Sequence, residues 1–157
     1  MIDKFLRVAV GGAHRLLRAF WFVRRPRTFG AHAVALTPEG RIVLVKLRYA
    51  RGWRLPGGGR KESEDPREAV LRELREEIGM IRHGSVQLAC ELEERPDFKR
   101  DTAALLIVRD VEYRPRWSLE IESVTEAELD RLPPKMSPRA VRWLNAVRPY
   151  LENSAPR

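Results

Sequence analysis

Three glutamates in one short segment are the residues of this chain with the clearest chemical use. Glu73, Glu76 and Glu77 lie within the stretch RELREEIGM, residues 72–80. On an α-helix, side chains three and four positions apart share a face, so these carboxylates crowd together and repel by about 0.2–0.5 kcal/mol per pair. A divalent cation such as Mg²⁺, which prefers oxygen ligands, would offset that repulsion. The spacing therefore predicts a metal site.

A metal ion held by carboxylates suits the hydrolysis of a diphosphate. Divalent metals neutralise phosphate oxygens, orient the diphosphate and lower the pKa of the attacking water. Arg72 stands four residues before Glu76, a spacing that allows an ion pair to hold one carboxylate in place. The helix alone leaves a second interpretation open, in which the glutamates form a solvated acidic face without a metal.

The segment that carries the glutamates has the start and stop signals of an α-helix. Asp65 is the predicted N-cap, Pro66 suits the first helical position, and Gly79 is the predicted stop. Four apolar residues at helical spacing form the predicted buried face: Ala69, Val70, Leu74 and Ile78. The three carboxylates are therefore expected on the face away from the core.

The rest of the chain is typical of a single α/β domain. Apolar patterns predict two strands around a Pro-Glu-Gly turn in residues 30–48, and further strands in 85–94, 102–113 and 119–125. A short helix is predicted for residues 126–132 and a closing helix for 137–151.

The first 27 residues differ from the rest in charge and periodicity. Residues 3–23 predict a basic amphipathic helix followed by a basic linker, and residues 28–151 are the predicted main domain. The helix is expected to dock on the core or at a homodimer interface. The alternative is that its basic face touches a membrane or nucleic acid.

Composition narrows the class of protein. The chain has no apolar run of about 18 residues, so no transmembrane helix is expected. Charged residues and glycines interrupt the N-terminal apolar run, which is unlike a secretory signal. Cys90 is predicted to be a buried structural thiol, and a cytoplasmic location is expected. Residues 1–61 contain 14 Lys and Arg against 2 acidic residues, an excess of +12 that attracts anions, and the remainder carries −4.

The stretch GGRKESEDPREAVLRELREEIGM, residues 58–80, resembles the defining motif of the Nudix hydrolase family. Gly58 is followed after five residues by Glu64 and after seven more by Arg72 and Glu73, and the two later glutamates precede Gly79 and Met80 at the family's spacing. The resemblance, to MutT-like and ADP-ribose pyrophosphatase-like members, implies the Nudix fold. That fold is an α/β/α sandwich with a mixed β-sheet, and the implied cofactor is Mg²⁺, with Mn²⁺ as a substitute.

The resemblance also implies roles for single residues. The positions of Glu73, Glu76 and Glu77 bind the metal in this family, the position of Gly57 brings a backbone carbonyl near it, and the position of Arg72 orients the glutamates. Ser63 stands where many members have glycine, and Lys61 stands where glutamate is frequent. The loop between the glycines and the helix is therefore expected to have its own shape.

The general base is less closely defined. Members of the family take it from different places, often from a glutamate well beyond the motif. Glu120, in the late segment WSLEIESVTEAELDRLP, is the favoured candidate, and Glu93 and Glu94 are the rivals. Each of the three is equally consistent with an exposed strand carboxylate.

The residues before the motif are the candidates for binding substrate. Arg48, Arg51 and Arg54 lie just upstream of the glycines and suit phosphate groups. Trp53 or Phe98 could stack on a base, although a tryptophan in the position of Trp53 is more often part of the core. Pro96, sixteen residues beyond Met80, resembles a proline of the ADP-ribose pyrophosphatases.

The expected function is a magnesium-dependent pyrophosphohydrolase. Its substrate would be a nucleoside diphosphate linked to another moiety, such as ADP-ribose, a nucleotide sugar or a nucleoside triphosphate. One alternative is a Nudix domain that binds a nucleotide or nucleic acid without cleaving it. Another is a pyrophosphohydrolase of RNA 5′ ends, drawn to RNA by the basic half.

Overall fold

The computed structural model describes residues 27–152. The helix predicted for residues 3–23 and its linker lie outside the described residues. The strands are β1 (Arg27–Ala35), β2 (Ile42–Leu47), β3 (Trp53–Arg54), β4 (Gly57–Arg60), β5 (Met80–Arg82), β6 (Val86–Glu94), β7 (Arg100–Val108), β8 (Glu112–Tyr113) and β9 (Ile121–Ala127). The helices are α1 (Pro66–Ile78) and α2 (Pro138–Glu152), and a short 3₁₀ turn spans Pro96–Phe98.

The strands form three sheets, one of which is mixed. The largest has the order β4-β1-β7-β6, in which β1 and β7 are parallel and the other pairs are antiparallel. A second sheet has the order β3-β2-β9, and β5 pairs with β8. The glycines of the Nudix motif lie on β4, at the edge of the mixed sheet, and pair with β1 from Phe29 to His32.

Alternate residues of the central strands face two separate cores. On β1 and β2, Ala33 and Val43 pack toward α1, whereas their neighbours Val34 and Ile42 pack toward α2. The predicted inner face of α1 is completely buried. One helix thus covers each face of the strand layer, which confirms the predicted α/β/α sandwich with a mixed sheet.

Two of the predicted elements are wrong in detail. Residues 126–132, predicted as a helix, instead continue β9 through Glu126 and Ala127 and then turn. Pairing of these two residues with β2 and burial of Ala127 outweigh the helix-forming composition of the segment. The single strand predicted for 102–113 is broken at Asp110, whose φ is +53°, so β7 and β8 are separate.

Cys90 lies on β6 beside a shift in register and is half-buried against the core under α2. Burial raises the pKa of its thiol, which fits the structural role predicted for it. No helix in residues 27–152 has the length and apolarity needed to cross a membrane.

The end of α1 allows a test of this architecture. Gly79→Ala should lower the free energy of unfolding by more than the about 1–2 kcal/mol that a left-handed backbone costs a non-glycine residue. Gly79 has φ +71°, and a Cβ there would also collide with the carbonyl oxygen of Arg114. Gly40→Ala is the matched control, because Gly40 has φ +77° with nothing within 4 Å of the added carbon. Urea unfolding compares the two, and equal losses would contradict the packing of the helix end against Arg114.

Candidate active site

The orientation of α1 is fixed at both ends and along its inner face. The Asp65 side chain caps the first turn by accepting a hydrogen bond from the Arg67 N–H at 2.8 Å. At the other end the Gly79 N–H bonds to the carbonyl of Leu74. The apolar stripe faces the core and Glu76 is exposed, whereas Glu73 and Glu77 lie half-buried beside the stripe, against the glycines of β4. The expected face away from the core is therefore correct for Glu76 but not for the other two carboxylates.

Arg72 connects the glutamate face to the glycine loop, which we define as residues 57–64. Its guanidinium contacts Glu73 at 2.8 Å and Glu64 at 3.3 Å, and it donates to the carbonyl of Gly59 at 3.2 Å. The contact with Glu76, the pair expected from the spacing, is longer at 3.9 Å. Arg72 therefore orients Glu73 first, and it does so while bound to the loop.

Glu77 is the most perturbed carboxyl group of the site. It accepts a hydrogen bond from the Gly57 N–H at 2.8 Å. Burial, followed by the negative charges of Glu73, Glu120 and Glu76, raises the pKa of Glu77 to about 8, against the lowering effect of the Gly57 bond. Burial also raises the pKa of Glu73, although Arg72 opposes that shift. The site thus holds more negative charge than its own groups neutralise.

Two glycines allow the loop to approach the helix closely. Gly57 has φ +145°, and an added Cβ would collide with the carbonyl oxygen of Ala31. An added Cβ at Gly58 would lie 2.7 Å from carboxylate atoms of Glu73. These positions require glycine for different reasons: Gly57 for its backbone, and Gly58 for the space that Glu73 occupies.

A cavity of about 370 Å³ lies over the glutamates and includes Glu120. Its lining consists of Glu73, Glu76, Glu77, Trp117, Ser118, Leu119, Glu120 and Ile121. Of the candidates for general base, Glu120 is the one that the structure brings to this cavity. Glu94 instead contacts Arg139 at 2.6 Å and lies under α2. Glu93 is exposed on β6 and is absent from the lining.

The candidate phosphate-binding arginines lie at different distances from the cavity lining. Arg48 donates from Nε to the carbonyl of Ser118 at 3.1 Å, so it is next to the cavity. Arg54 is half-buried on β3, and its Nε has no hydrogen-bond partner. Arg51 is exposed in the turn before β3.

The aromatic residues expected to stack on a base are not those that line the cavity. Trp53 packs against the core under α2, and Phe98 lies on the loop after β6. Trp117 lines the cavity with 79% of its surface exposed. Tyr49 is 70% exposed, and the pKa of its hydroxyl is raised first by partial burial and then by the nearby charges of Glu120 and Glu77. Sequence reasoning missed both, although the basic-aromatic stretch RPRWS around Trp117 was a usable signal.

The carboxylates of the cavity form a set of oxygen donors that can be compared with the needs of a divalent metal. Within residues 27–152, no three His, Cys, Asp or Glu side chains are already grouped as metal ligands. Glu73 is engaged by Arg72 and Glu77 by Gly57. However, the carboxylates line one cavity, and their raised pKa values reflect burial first and neighbouring negative charge second, both of which a cation would offset. By its chemistry, the set fits a hard cation such as Mg²⁺.

Comparison with known proteins identifies the family of this chain. A model of the NUDIX domain matches residues 26–147, so the chain belongs to the NUDIX family. The RNA pyrophosphohydrolase of Gluconacetobacter diazotrophicus is 48% identical over 94 residues, which cover 54% of this chain and 53% of that protein. The protein of the same name from Acidiphilium cryptum is 40% identical over 91 residues, 53% and 54% of the two chains. The chain spans about half or less of the length of the curated relatives it matches.

Solved structures confirm the fold. The MutT NUDIX hydrolase of Burkholderia pseudomallei superposes with a TM-score of 0.66 at 26% identity, covering 77% of this chain and 98% of that one. The MutT protein of Methanosarcina mazei gives a TM-score of 0.61 at 24% identity, with 83% and 98% covered. The predicted Nudix resemblance is therefore confirmed for family and fold.

The two neighbouring glycines provide a prediction for the site. Gly58→Ala should leave stability nearly unchanged, since the Glu73 side chain can move away, but it should lower metal-dependent turnover by about a hundredfold through misplacement of that carboxylate. Gly59→Ala is the control, because the nearest atom to its added Cβ is 4.0 Å away. Turnover and melting temperature of both variants check this, and equal turnover in the two would contradict it.

The raised pKa of Glu77 predicts how the stability of the metal-free protein depends on pH. A carboxyl with a raised pKa binds its proton more tightly in the folded chain, so its contribution falls as pH rises from its ordinary value of 4.5 to about 8. With a chelator present, the melting temperature of the unsubstituted protein relative to Glu77→Gln should fall across that window. Parallel curves for the two proteins would contradict the assignment.

Proposed function

We propose that the protein is a metal-dependent pyrophosphohydrolase that cleaves a diphosphate bond in a nucleotide-containing substrate. The observation that carries the proposal is the single cavity in which Glu73, Glu76 and Glu77 meet Glu120. Carboxylates from a fixed helix meet one from the loop immediately before β9 there, as a metal site with an added base requires. The proposal extends the activity named for the partly matching relatives to this chain.

Each residue has a distinct task in this proposal. Glu73, Glu76 and Glu77, with the backbone of Gly57, would hold Mg²⁺, which neutralises phosphate oxygens and acidifies water when bound. Glu120 accepts a proton from the attacking water. The oxygen of that water bonds to phosphorus, and the P–O anhydride bond breaks as the other phosphate group leaves. Arg72 keeps Glu73 in place and does not contact substrate. Mn²⁺ would serve in the same oxygen-ligand set.

The substrate is held from the side of β2 and the loop before β9. Arg48, next to Ser118, is placed to pair with phosphate oxygens beside the cavity. Trp117 and Tyr49 offer exposed rings, on which a nucleobase can stack for about 1–3 kcal/mol per base. Arg51 and Arg54 would add positive charge further along β3 and the turn before it.

RNA with a 5′ triphosphate is the second candidate and the first substrate to test. Eight curated relatives that match the chain share the name RNA pyrophosphohydrolase. Trp117 follows two exposed arginines of the same loop, Arg114 and Arg116, and an exposed ring beside basic side chains suits a single strand of RNA. ADP-ribose, nucleotide sugars and nucleoside triphosphates are the competing substrates.

A Nudix domain that only binds nucleotides is the remaining alternative. It requires the basic surface but not the crowded carboxylates. Holding ionised Glu77, whose pKa is raised, beside other carboxylates costs stability at neutral pH. The presence of all three glutamates despite that cost favours a catalytic domain over one that only binds.

A substrate panel with a matched pair of variants tests the proposal. Phosphate or pyrophosphate release is measured with Mg²⁺ and with Mn²⁺ on triphosphorylated RNA, nucleoside triphosphates, ADP-ribose and nucleotide sugars. Glu76→Gln should lower turnover by orders of magnitude with little effect on folding, because the Glu76 side chain is 61% exposed. Glu68→Gln makes the same change on the first turn of α1, outside the cavity lining, and should retain turnover.

The outcomes separate the three functions. Preferred turnover of RNA over free nucleotides supports the RNA 5′-end activity, and preferred turnover of free nucleotides supports the broader proposal. Binding that weakens steeply with salt, without metal-dependent release from any substrate, would leave the non-catalytic alternative.

A further inference from the structure

A buried arginine, Arg60, lies inside the glycine loop and has no role in the functions described above. Its side chain is only 6% exposed. Its Nη1 donates to the backbone carbonyls of Lys61 at 3.3 Å, Glu62 at 3.3 Å and Glu64 at 3.2 Å. Its Nη2 lies 3.4 Å from a carboxylate oxygen of Glu91 on β6. One guanidinium thus connects three backbone carbonyls of this loop to a carboxylate of the sheet.

The burial of this charge is supported by its surroundings. The guanidinium carbon lies 5.3 Å from the centre of the Phe29 ring on β1, within the range of a cation–π contact. An unpaired buried charge costs several kcal/mol, so Arg60 is tolerated because the carbonyls, Glu91 and the ring compensate it. Its Nε has no hydrogen-bond partner, so Nη1 and Nη2 carry its described polar contacts.

The loop that Arg60 holds leads directly to the catalytic helix. The backbone of the loop closes through the Glu64 N–H and the Lys61 carbonyl at 3.1 Å, and the Lys61 N–H bonds to one carboxylate oxygen of Glu64. The other oxygen of Glu64 accepts from Arg72, which in turn holds Glu73. A continuous chain of contacts therefore runs from Arg60 to a candidate metal ligand.

The contacts that hold this loop come from backbone groups and from Arg60 and Glu64. The exposed Lys61 side chain is not part of the contacts that close the loop, which are made by its backbone. Arg60 contacts the loop from the side of the sheet, and its planar guanidinium has several N–H donors in an arrangement that a lysine ammonium does not provide.

We propose that Arg60 is a positioning residue that sets the conformation of residues 61–64, and through Glu64 and Arg72 the placement of the Glu73 carboxylate. This inference rests on the proposed function for its kinetic readout. Its structural part is independent, because it predicts how metal binding stabilises the fold. Arg60 itself does not contact substrate or metal.

Chemical rescue of Arg60→Ala is the decisive test. The variant should lower kcat about tenfold to a hundredfold with a small change in KM, since a carboxylate is misplaced and not lost. Guanidinium chloride at low millimolar concentration should restore part of kcat by occupying the vacated site. The same salt should restore nothing in Glu76→Gln. Arg60→Lys, which keeps the charge but not the fork, should behave like Arg60→Ala.

Thermal unfolding gives a readout that does not depend on activity. Mg²⁺ should raise the melting temperature of the unsubstituted protein by more than that of Arg60→Ala, and guanidinium should recover part of the difference. Arg60→Met keeps an unbranched apolar side chain beside Phe29. It is the variant to use if Arg60→Ala does not fold. It should show the same reduced response to Mg²⁺.

Specific results would overturn the inference. Full kcat in Arg60→Lys or Arg60→Met would do so, as would a loss of activity that only follows the folded fraction and is not restored by guanidinium. If the unsubstituted protein shows no turnover on any substrate of the panel, the proposed function fails. The response of the melting temperature to Mg²⁺ still decides the role of Arg60.

Discussion

The mutual repulsion of carboxylates on α1 is the constraint on which the rest of the site depends. Glu73, Glu76 and Glu77 are held together by a helix whose opposite face is fully buried, so they cannot separate by moving the backbone. The structure accommodates them through local contacts instead. Arg72 neutralises Glu73, and the Gly57 N–H supports Glu77, whose pKa nevertheless rises to about 8. A cation is the component that would remove the remaining imbalance.

Support for the glycine loop comes from a buried layer on the far side of β4. His32 pairs with Gly57 across β1 and β4, and its ring stacks on Trp143 of α2 at 4.4 Å between centroids. Burial, reinforced by the nearby charge of Arg139, lowers the pKa of His32 to about 4. The imidazole is therefore neutral at physiological pH. The imidazole behind Gly57 therefore adds no charge of its own to the site at physiological pH.

Local features of the sequence were sufficient to predict α1, its caps and its buried apolar face, because each depends on residues within one or two turns. The partners of Arg72 could not be predicted in the same way, because Glu64 and Gly59 reach it through the fold of the loop and not through helical spacing. The helix predicted for residues 126–132 failed for a related reason. Its composition favours a helix, but pairing with β2 is a long-range interaction that short-range propensity does not contain. Trp117 was missed because exposed loop residues carry no periodic pattern.

The position of Glu120 depends on the same long-range pairing. The Arg48 N–H bonds to the carbonyl of Glu120, and the Arg48 side chain bonds to the carbonyl of Ser118. The Ser118 hydroxyl accepts from the N–H groups of Glu120 and Ile121 and so shapes the start of β9. A candidate phosphate ligand and the candidate base are thus positioned as one unit by β2 and β9, while α1 supplies the candidate metal carboxylates from another part of the chain. The two units also share a core, because Val43, Val45 and Ile121 pack with the buried face of α1. A change in the β2–β9 register would therefore displace the candidate base relative to the glutamates of α1.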